Sequence, residues 1–286
     1  MLINEIAIIS GKGGTGKTSI TASIIPFLEN VVIADCDVDA PDLNILLEGE
    51  LVSSIDFTGF QRPRINYDEC IMCGRCHNSC NFDAITPEIV IKESKCEGCT
   101  VCEFVCPTNA ITMHDYTIGK LFTRNTKYGK MVDARLIPGE ESSGKLVSEV
   151  RRMAKEEALI SGAKYILIDG SPGIACNVIS GITGANKVVI VTEPSLSGLH
   201  DLKKVLKLVR TFSIEPVIII NKFDLSLELT NIVKAYCKEE NVEVILEMPF
   251  DERMVMTISD KIIPSLGNIE FFNEEPWMNF IKYLTN

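Results

Sequence analysis

Long hydrophobic runs, an excess of basic charge and a secretory leader are all missing from this 286-residue chain. No apolar run reaches the roughly 18 residues of a transmembrane helix, so we expect no stable membrane insertion. The formal net charge of −11 disfavours a nucleic-acid partner, because such binding needs Lys and Arg side chains against phosphates. The N-terminal residues show neither a basic stretch nor a cleavage site, and these absences together predict a cytoplasmic protein.

Cysteine, by contrast, is abundant. The chain holds 11 cysteines, and eight of them lie between Cys70 and Cys106. Disulfides are rare in the cytoplasm, so clustered cysteines indicate metal or redox chemistry. Apolar residues make up 46% of the sequence, which is enough for a sizeable core.

A glycine-rich stretch near the N-terminus follows a short apolar run and precedes a segment of helical character. A strand, a glycine-rich turn and a helix form the context of a phosphate-binding loop. Backbone N–H groups there approach a polyphosphate, and the helix presents its positive end to the anion. The match to G-x-x-x-x-G-K-T is complete, with Gly11, Lys12, Gly13, Gly14, Thr15, Gly16, Lys17 and Thr18. We expect Lys17 to reach the β- and γ-phosphates and Thr18 to hold Mg²⁺.

Two predicted strands each end in acidic residues. Four aspartates follow the strand at 31–34, and we favour a role for Asp37 with Mg²⁺ or the attacking water. The alternative is a solvated acidic loop. The strand at 165–168 ends in Asp169, which fits the Walker B residue that orders the Mg²⁺ shell. Ligands of open α/β sheets bind at the carboxyl ends of strands, so both carboxylates are expected at one site.

The clustered cysteines form an internal repeat with a period of 26 residues. Each copy has the spacing C-x₂-C-x₂-C-x₃-C of bacterial ferredoxins with two [4Fe–4S] clusters, in which the fourth cysteine ligates the other cluster. This predicts a first cysteine set of Cys70, Cys73, Cys76 and Cys106, and a second cysteine set of Cys96, Cys99, Cys102 and Cys80. A pair of zinc sites is the alternative, although zinc usually takes its thiolates from two separated C-x₂-C pairs.

Short apolar strands alternate with helical segments outside the repeat, which predicts an α/β fold with a mostly parallel, doubly wound P-loop sheet. Later strands are expected at 188–191, 217–220 and 244–246, a helix at 199–210, and two joined strands within 116–137. Ser142 and Ser143 predict a helix cap. We divide the chain into a P-loop domain of residues 1–59 and 116–286, and an inserted small α+β ferredoxin-like domain of residues 60–115.

The segment from Lys12 to Thr18 resembles the deviant Walker A motif of the MinD/ParA/Mrp-type ATPases, a class that includes the nitrogenase iron protein. The resemblance implies that Lys12 reaches the nucleotide of a partner subunit across an ATP-sandwich homodimer. It implies that Asp37 orients the attacking water in switch I and that Asp169 begins switch II. It also places Asn221 against the base, under a loop that begins at Pro249.

The cysteine-rich insert resembles two-cluster ferredoxins, and the combination is similar to a subgroup of MinD-superfamily ATPases with an inserted ferredoxin domain. This implies an ATP-dependent electron-transfer protein with ATP, Mg²⁺ and two [4Fe–4S] clusters, which forms a nucleotide-dependent homodimer and serves a redox partner. One alternative is an iron–sulfur or metal-cluster carrier of the Mrp type, which commonly uses a C-x-x-C pair that is missing after Cys106. Another is a MinD/ParA-like positioning ATPase.

Two smaller questions stay open in the sequence. Asn221-Lys222-Phe223-Asp224 also fits the N-K-x-D pattern that reads guanine, although the loop with Lys12 favours ATP. Cys176 stands where the nitrogenase iron protein has a bridging cluster ligand, but residues 116–160 offer no second cysteine. The simpler interpretation of Cys176 is a small buried residue.

Overall fold

The computed structural model describes residues 3–140 and 143–286, so the cap predicted at Ser142 lies outside the described residues. The chain forms two compact units. The sheet unit contains residues up to Ser54, Leu121–Arg135 and the chain after Ser142, whereas the cysteine unit contains Ile55–Lys120 and a short segment that begins at Leu136. The predicted insert, 60–115, lies within the cysteine unit.

Strands and helices alternate along most of the sheet unit. The strands are β1 (Asn4–Ser10), β2 (Val31–Asp35), β3 (Glu50–Thr58), β4 (Arg62–Ile65), β5 (Ile111–His114), β6 (Thr117–Thr126), β7 (Gly129–Leu136), β8 (Tyr165–Pro172), β9 (Lys187–Thr192), β10 (Val217–Asn221) and β11 (Glu243–Met248). The helices are α1 (Lys17–Ile24), α2 (Leu43–Leu47), α3 (Arg75–Asn78), α4 (Val101–Phe104), α5 (Ser143–Ser161), α6 (Cys176–Ile182), α7 (Leu196–Arg210), α8 (Leu227–Glu239), α9 (Glu252–Ser259) and α10 (Glu275–Thr285).

Nine strands form one sheet in the order β11-β10-β9-β1-β8-β2-β7-β6-β3. The pairs from β11 to β7 are parallel, which confirms the predicted α/β fold with a mostly parallel sheet. The joined strands predicted within 116–137 are confirmed as β6 and β7. The sequence did not predict β3, because this edge strand is largely exposed and has no continuous apolar run.

The strands near the middle of the sheet are buried on both faces, as parallel strands covered by helices must be. Helix α10 buries Trp277, Phe280 and Leu284 in the same cluster as Ile6 and Ile8 of β1. Each such side chain contributes roughly 1.5–3 kcal/mol of hydrophobic free energy. The aromatic C-terminal segment therefore packs on the sheet unit. Among the described residues, no helix is both long and apolar enough to cross a membrane.

The 26-residue repeat is also a structural repeat in the cysteine unit. Helices α3 and α4 begin 26 residues apart, and left-handed residues precede both, Gly74 with φ 75° and Thr100 with φ 65°. A second left-handed pair, Asp83 and Asn109, keeps the same offset. Strands β4 and β5 form an antiparallel ribbon. The two cysteine runs therefore have the same backbone conformation.

Candidate functional sites

The glycine-rich loop joins β1 to α1 at the centre of the sheet. Gly16 has φ 88°, and a Cβ atom there would lie 2.4 Å from Nδ2 of Asn221, so only glycine fits. The same amide donates a hydrogen bond to the carbonyl oxygen of Thr15 at 2.8 Å. The end of β10 therefore holds the loop at the carboxyl end of β1.

Four of the predicted residues converge beside this loop. Nζ of Lys17 lies 2.9 Å from Oδ1 of Asp169 and 3.7 Å from Oδ2 of Asp37. Thr18 donates a hydrogen bond to Oδ2 of Asp169 at 2.7 Å. Thr21, which the sequence analysis missed, donates to Oδ1 at 2.8 Å. Thr21 lies one helical turn after Lys17, so the period of α1 was the only signal that pointed to it.

Burial and crowded carboxylates shift the pKa values in this cluster. Burial raises the pKa of Asp37 to about 6, against the opposing effect of Lys17. Burial and the charge of Asp169 raise the pKa of Asp35 well above its usual range. Burial disfavours the Lys17 ammonium, but Asp169 and Asp37 outweigh it and raise the pKa of Lys17. One ammonium thus lies among three carboxyl groups, and two of these bind their protons more tightly than exposed carboxyl groups do.

A cleft of about 590 Å³ opens over the loop. Residues 13–19 form one side, and Asp37, Asp39 and Asp42 lie on another. Asn177 of α6 also lines the cleft, and the sequence analysis missed it because an isolated Asn in a helix belongs to no motif. The size and lining suit a polar ligand that carries phosphate groups.

Other predicted residues stand outside this cleft. Nζ of Lys12 lies 2.8 Å from Oε1 of Glu193 and 3.2 Å from Oγ of Ser197. Gly11 packs against the backbone of Asp201. The lining of the cleft includes neither Asn221 nor Pro249. The proposed contacts of Lys12 and Gly11 with phosphate, and of Asn221 and Pro249 with the base, stay predictions.

Hydrogen bonds tie the loops around the cleft to one another. Ser171, after Asp169 on β8, donates to the carbonyl oxygen of Cys36 at 2.7 Å. The N–H group of Cys36 donates to the carbonyl oxygen of Asp169 at 2.8 Å. Farther along the sheet, the N–H group of Phe250 donates to Oδ1 of Asp224 at 2.7 Å. The chain after β2 is therefore coupled to the chain at the end of β8.

The cysteine unit contains two small cavities, each lined by four cysteines. One cavity is lined by Cys70, Cys73, Cys76 and Cys106. The other is lined by Cys80, Cys96, Cys99 and Cys102. Each cavity thus gathers three cysteines of one repeat and the fourth of the other, which are the first and second cysteine sets. Apolar residues such as Ile89 and Ile91 form much of the remaining walls.

Backbone groups point at two of these sulfur atoms. The N–H group of Ala84 donates to Sγ of Cys80 at 3.4 Å, and that of Ala110 donates to Sγ of Cys106 at 3.3 Å. Burial raises the pKa of Cys102 to about 11. Ligation of a metal by Cys102 therefore has to remove a proton that this thiol otherwise keeps.

The three cysteines outside the repeat differ in exposure. Cys36 and Cys237 are buried, whereas Cys176 is exposed at the first residue of α6. The interpretation of Cys176 as a small buried residue is wrong. It failed because the helix begins at this position and turns its first residue outward.

Known proteins resemble both parts of this chain. The sequence model of the CobQ/CobB/MinD/ParA nucleotide binding domain matches residues 6–264. An uncharacterized protein of Methanocaldococcus jannaschii is 31% identical over 265 residues, 92% of this chain and 90% of the relative. A ferredoxin of Methanothermococcus thermolithotrophicus is 39% identical over 57 residues, 18% of this chain and 95% of the ferredoxin.

A solved structure shows the same fold. The septum site-determining protein MinD of Pyrococcus horikoshii, complexed with Mg-ADP, aligns with a TM-score of 0.57 at 18% sequence identity. The alignment covers 99% of this chain and 95% of MinD. The likeness concerns the backbone fold with its mostly parallel sheet.

Proposed function

We propose that this chain, which belongs to the CobQ/CobB/MinD/ParA nucleotide-binding family, couples a nucleotide-driven homodimer switch to electron transfer through two [4Fe–4S] clusters. The observation that carries the proposal is the pairing of cysteines across the repeat in two separate cavities. Two-cluster bacterial ferredoxins arrange their ligands in this way. The electrons pass to a redox partner protein.

The donor sets fit iron–sulfur clusters better than single zinc ions. Zinc holds four thiolates at about 2.3 Å, which crowds the sulfur atoms, whereas the thiolates of a cubane bind four different irons. Within residues 3–140 and 143–286, no three His, Cys, Asp or Glu side chains converge on a position for one metal ion. When bound, each cluster supplies one-electron redox chemistry.

In this proposal, ATP and Mg²⁺ bind in the cleft beside the glycine-rich loop. The loop N–H groups and Lys17 hold the β- and γ-phosphates, so Lys17 exchanges part of its contact with Asp169 for phosphate oxygens. Thr18 and Asp169, already hydrogen-bonded to each other, share the Mg²⁺ shell. Asp37 orients the attacking water as a carboxylate.

The loop with Lys12 favours ATP, and a contact of Asp224 supports this choice of base. In an N-K-x-D motif this carboxylate reads guanine, but here its Oδ1 accepts the N–H group of Phe250. That contact ties the turn after β11 to the turn after β10 and engages one of the two carboxylate oxygens that guanine would need. ATP is therefore the proposed nucleotide, and competition between ATP and GTP for the purified protein tests this choice.

Lys12 is the residue that makes the site dimeric. Its side chain is 38% exposed and contacts Glu193 of its own chain, outside the cleft. We place its ammonium on the phosphates of a partner subunit, where it stabilises the charge that develops in the transition state. To do so it leaves Glu193, so dimer formation and release of this ion pair occur together.

Chain continuity connects the nucleotide cleft with the cysteine unit. The loop that carries Asp37 continues through α2 into β3. Strand β3 begins in the sheet unit and ends in the cysteine unit. Because the bond between Ser171 and Cys36 couples the loops after β2 and β8, a shift at the γ-phosphate reaches β3 through α2.

The test is the EPR spectrum of the anaerobically reconstituted protein, with and without Mg-ATP. We expect Mg-ATP, and not Mg-ADP, to change the spectrum, the reduction potential or complex formation with an acceptor. No change in any of the three contradicts the coupling. Transfer of iron to an apo-protein favours the carrier alternative, and ATP-dependent recruitment to liposomes or DNA favours the positioning ATPase.

The variant Lys12→Ala tests the dimeric site. We expect ATP turnover to fall about 1000-fold, as when a transition-state cation is removed in trans, while nucleotide affinity changes only a few-fold. Lys204→Ala is the matched control, because this exposed lysine pairs with Asp201 on α7. Unchanged turnover in Lys12→Ala contradicts the role in trans.

A further inference from the structure

The two cysteine cavities share a backbone course but differ in charge. Among its lining residues, the cavity of the first cysteine set has one charged side chain, Arg75, and that of the second set has one, Glu97. Their counterparts 26 residues away are Val101 and Ile71, which are uncharged. Reduction adds negative charge to a cluster, so a cation favours the reduced form and an anion opposes it.

The hydrogen bonds to sulfur differ in the same direction. Sγ of Cys106, in the first set, accepts the N–H group of Ala110 and lies 3.8 Å from the hydroxyl of Thr108. Sγ of Cys80, in the second set, accepts the N–H group of Ala84. The counterpart of Thr108 is Phe82, which has no hydroxyl. Hydrogen bonds to the sulfurs are one of the factors that set a cluster's reduction potential, and donors here stabilise the more negative reduced form.

Charges next to the first ligands act the other way, because Glu69 precedes Cys70 and Lys95 precedes Cys96, but both side chains are exposed and neither lines a cavity. The groups closer to the cavities keep the difference. Oε1 of Glu103 accepts the N–H group of Met113 at 3.2 Å, and Met113 lines the second cavity, so a second carboxylate stands near that site. Arg62 lies near Cys96 in a separate small cavity. Its charge is compensated by Glu140, 2.6 Å away, so Arg62 does not cancel the effect of Glu97.

We infer that the cluster of the first cysteine set has the higher reduction potential, so that an electron placed on the second cluster moves to the first. In this step the second cluster is oxidised by one electron and the first is reduced by one, with no proton or ligand exchanged. The inference rests on the proposed cluster-binding function. It gives electron flow through the cysteine unit a direction, from the second set towards the first.

The test is a potentiometric titration followed by EPR, on the anaerobic full-length protein at low ionic strength. We expect two one-electron waves whose equilibrium constants differ at least tenfold, about 59 mV. Arg75→Gln and Thr108→Val lower the higher wave, and Glu97→Gln raises the lower one. Each changes the ratio of reduced to oxidised cluster about threefold, because Arg75 and Glu97 are exposed and partly screened.

Arg64→Gln and Asp115→Asn are the controls, since both residues are exposed in the same unit and line neither cavity. Equal reduction potentials of the two clusters, or an effect of Arg75→Gln on the lower wave, overturn the inference. Neither result contradicts the proposed binding of two clusters. The double variant Arg75→Val/Glu97→Ile gives each position the uncharged residue of its counterpart. If it binds two normal clusters and their reduction potentials stay as far apart as in the parent, the inference is overturned as well. A reconstituted protein without iron, sulfide and a cubane signal refutes the proposed function itself, and the inference with it.

Discussion

The nucleotide cleft and the cysteine cavities satisfy their polar groups in opposite ways. In the cleft, Lys17, Thr18 and Thr21 all bind the carboxylate of Asp169, so the site is internally paired. In the cavities, cysteines from two distant runs face one another across apolar walls. In the proposed function, the cleft exchanges its nucleotide repeatedly, whereas the clusters form a permanent part of the cysteine unit.

The largest expected effect comes from removing one cluster ligand. Metal–thiolate bonds contribute on the order of 10 kcal/mol to folding in small metal domains, so Cys106→Ala is expected to lose one cluster and destabilise the cysteine unit. Because each cavity takes its fourth cysteine from the other repeat, the cysteine variants also test which ligands share a cluster. Cys106→Ala and Cys70→Ala should lose the same EPR signal and half of the iron, and Cys80→Ala should lose the other signal.

Cys176→Ser is the control for this experiment, because Cys176 is exposed and lies outside the repeat. It should keep both signals and the full iron and sulfide content. If Cys106→Ala and Cys70→Ala lose different signals, each repeat holds its own cluster. The cavities then no longer combine cysteines of both repeats, and their contrast with the internally paired cleft fails.

A smaller effect is expected when the pairing in the cleft is broken. Lys17 is 6% exposed between Asp169 and Asp37, so Lys17→Met leaves buried carboxylates without their cation. Breaking a buried pair in this way costs roughly 3–5 kcal/mol. Urea unfolding should show that loss, and nucleotide binding should disappear.

The double variant Lys17→Met/Asp169→Asn separates the two results. It should recover most of the stability, because the unpaired charge is gone, but no nucleotide binding. Lys155→Ala is the control, since this exposed lysine pairs with Glu5 and should change stability by at most about 1 kcal/mol. A stable single variant would mean that Lys17 and Asp169 are not internally paired.

The same comparison explains what sequence alone predicts. The glycine-rich loop and the cysteine repeat are short patterns with fixed spacing, and the structure places Lys17, Thr18, Asp37 and Asp169 together. By contrast, the partner of Lys12 is 181 positions away in Glu193, and that of Thr21 is 148 positions away in Asp169. Such contacts depend on strand order, in which β1 lies between β8 and β9, and no local pattern encodes that order.

The smallest expected effect concerns Asp37, whose carboxyl group has a raised pKa in the cleft. Asp37 has a pKa of about 6 in the folded protein, raised by burial from an ordinary 3.8. The folded state therefore holds this proton more tightly, so its contribution to stability is full below pH 4 and is lost as the pH rises to 6. Asp37→Asn removes this pH-dependent loss of stability, because Asn does not ionise. Without nucleotide, the variant should be more stable than the parent by about 1–2 kcal/mol above pH 6 and equal to it near pH 4.

Urea unfolding of the nucleotide-free parent and variant across this pH range measures the difference in their free energies of unfolding. The pKa shifts of Asp35 and Lys17 largely cancel in this difference, because both proteins share them. Asp260→Asn is the control, since Asp260 is exposed and lies outside the cleft. A difference that does not vary with pH would mean that the 3.7 Å contact of Asp37 with Lys17 balances the effect of burial on the pKa of Asp37. The nucleotide-free cleft would then be paired throughout, and ATP would have to break an ion pair at Asp37 as well as at Asp169.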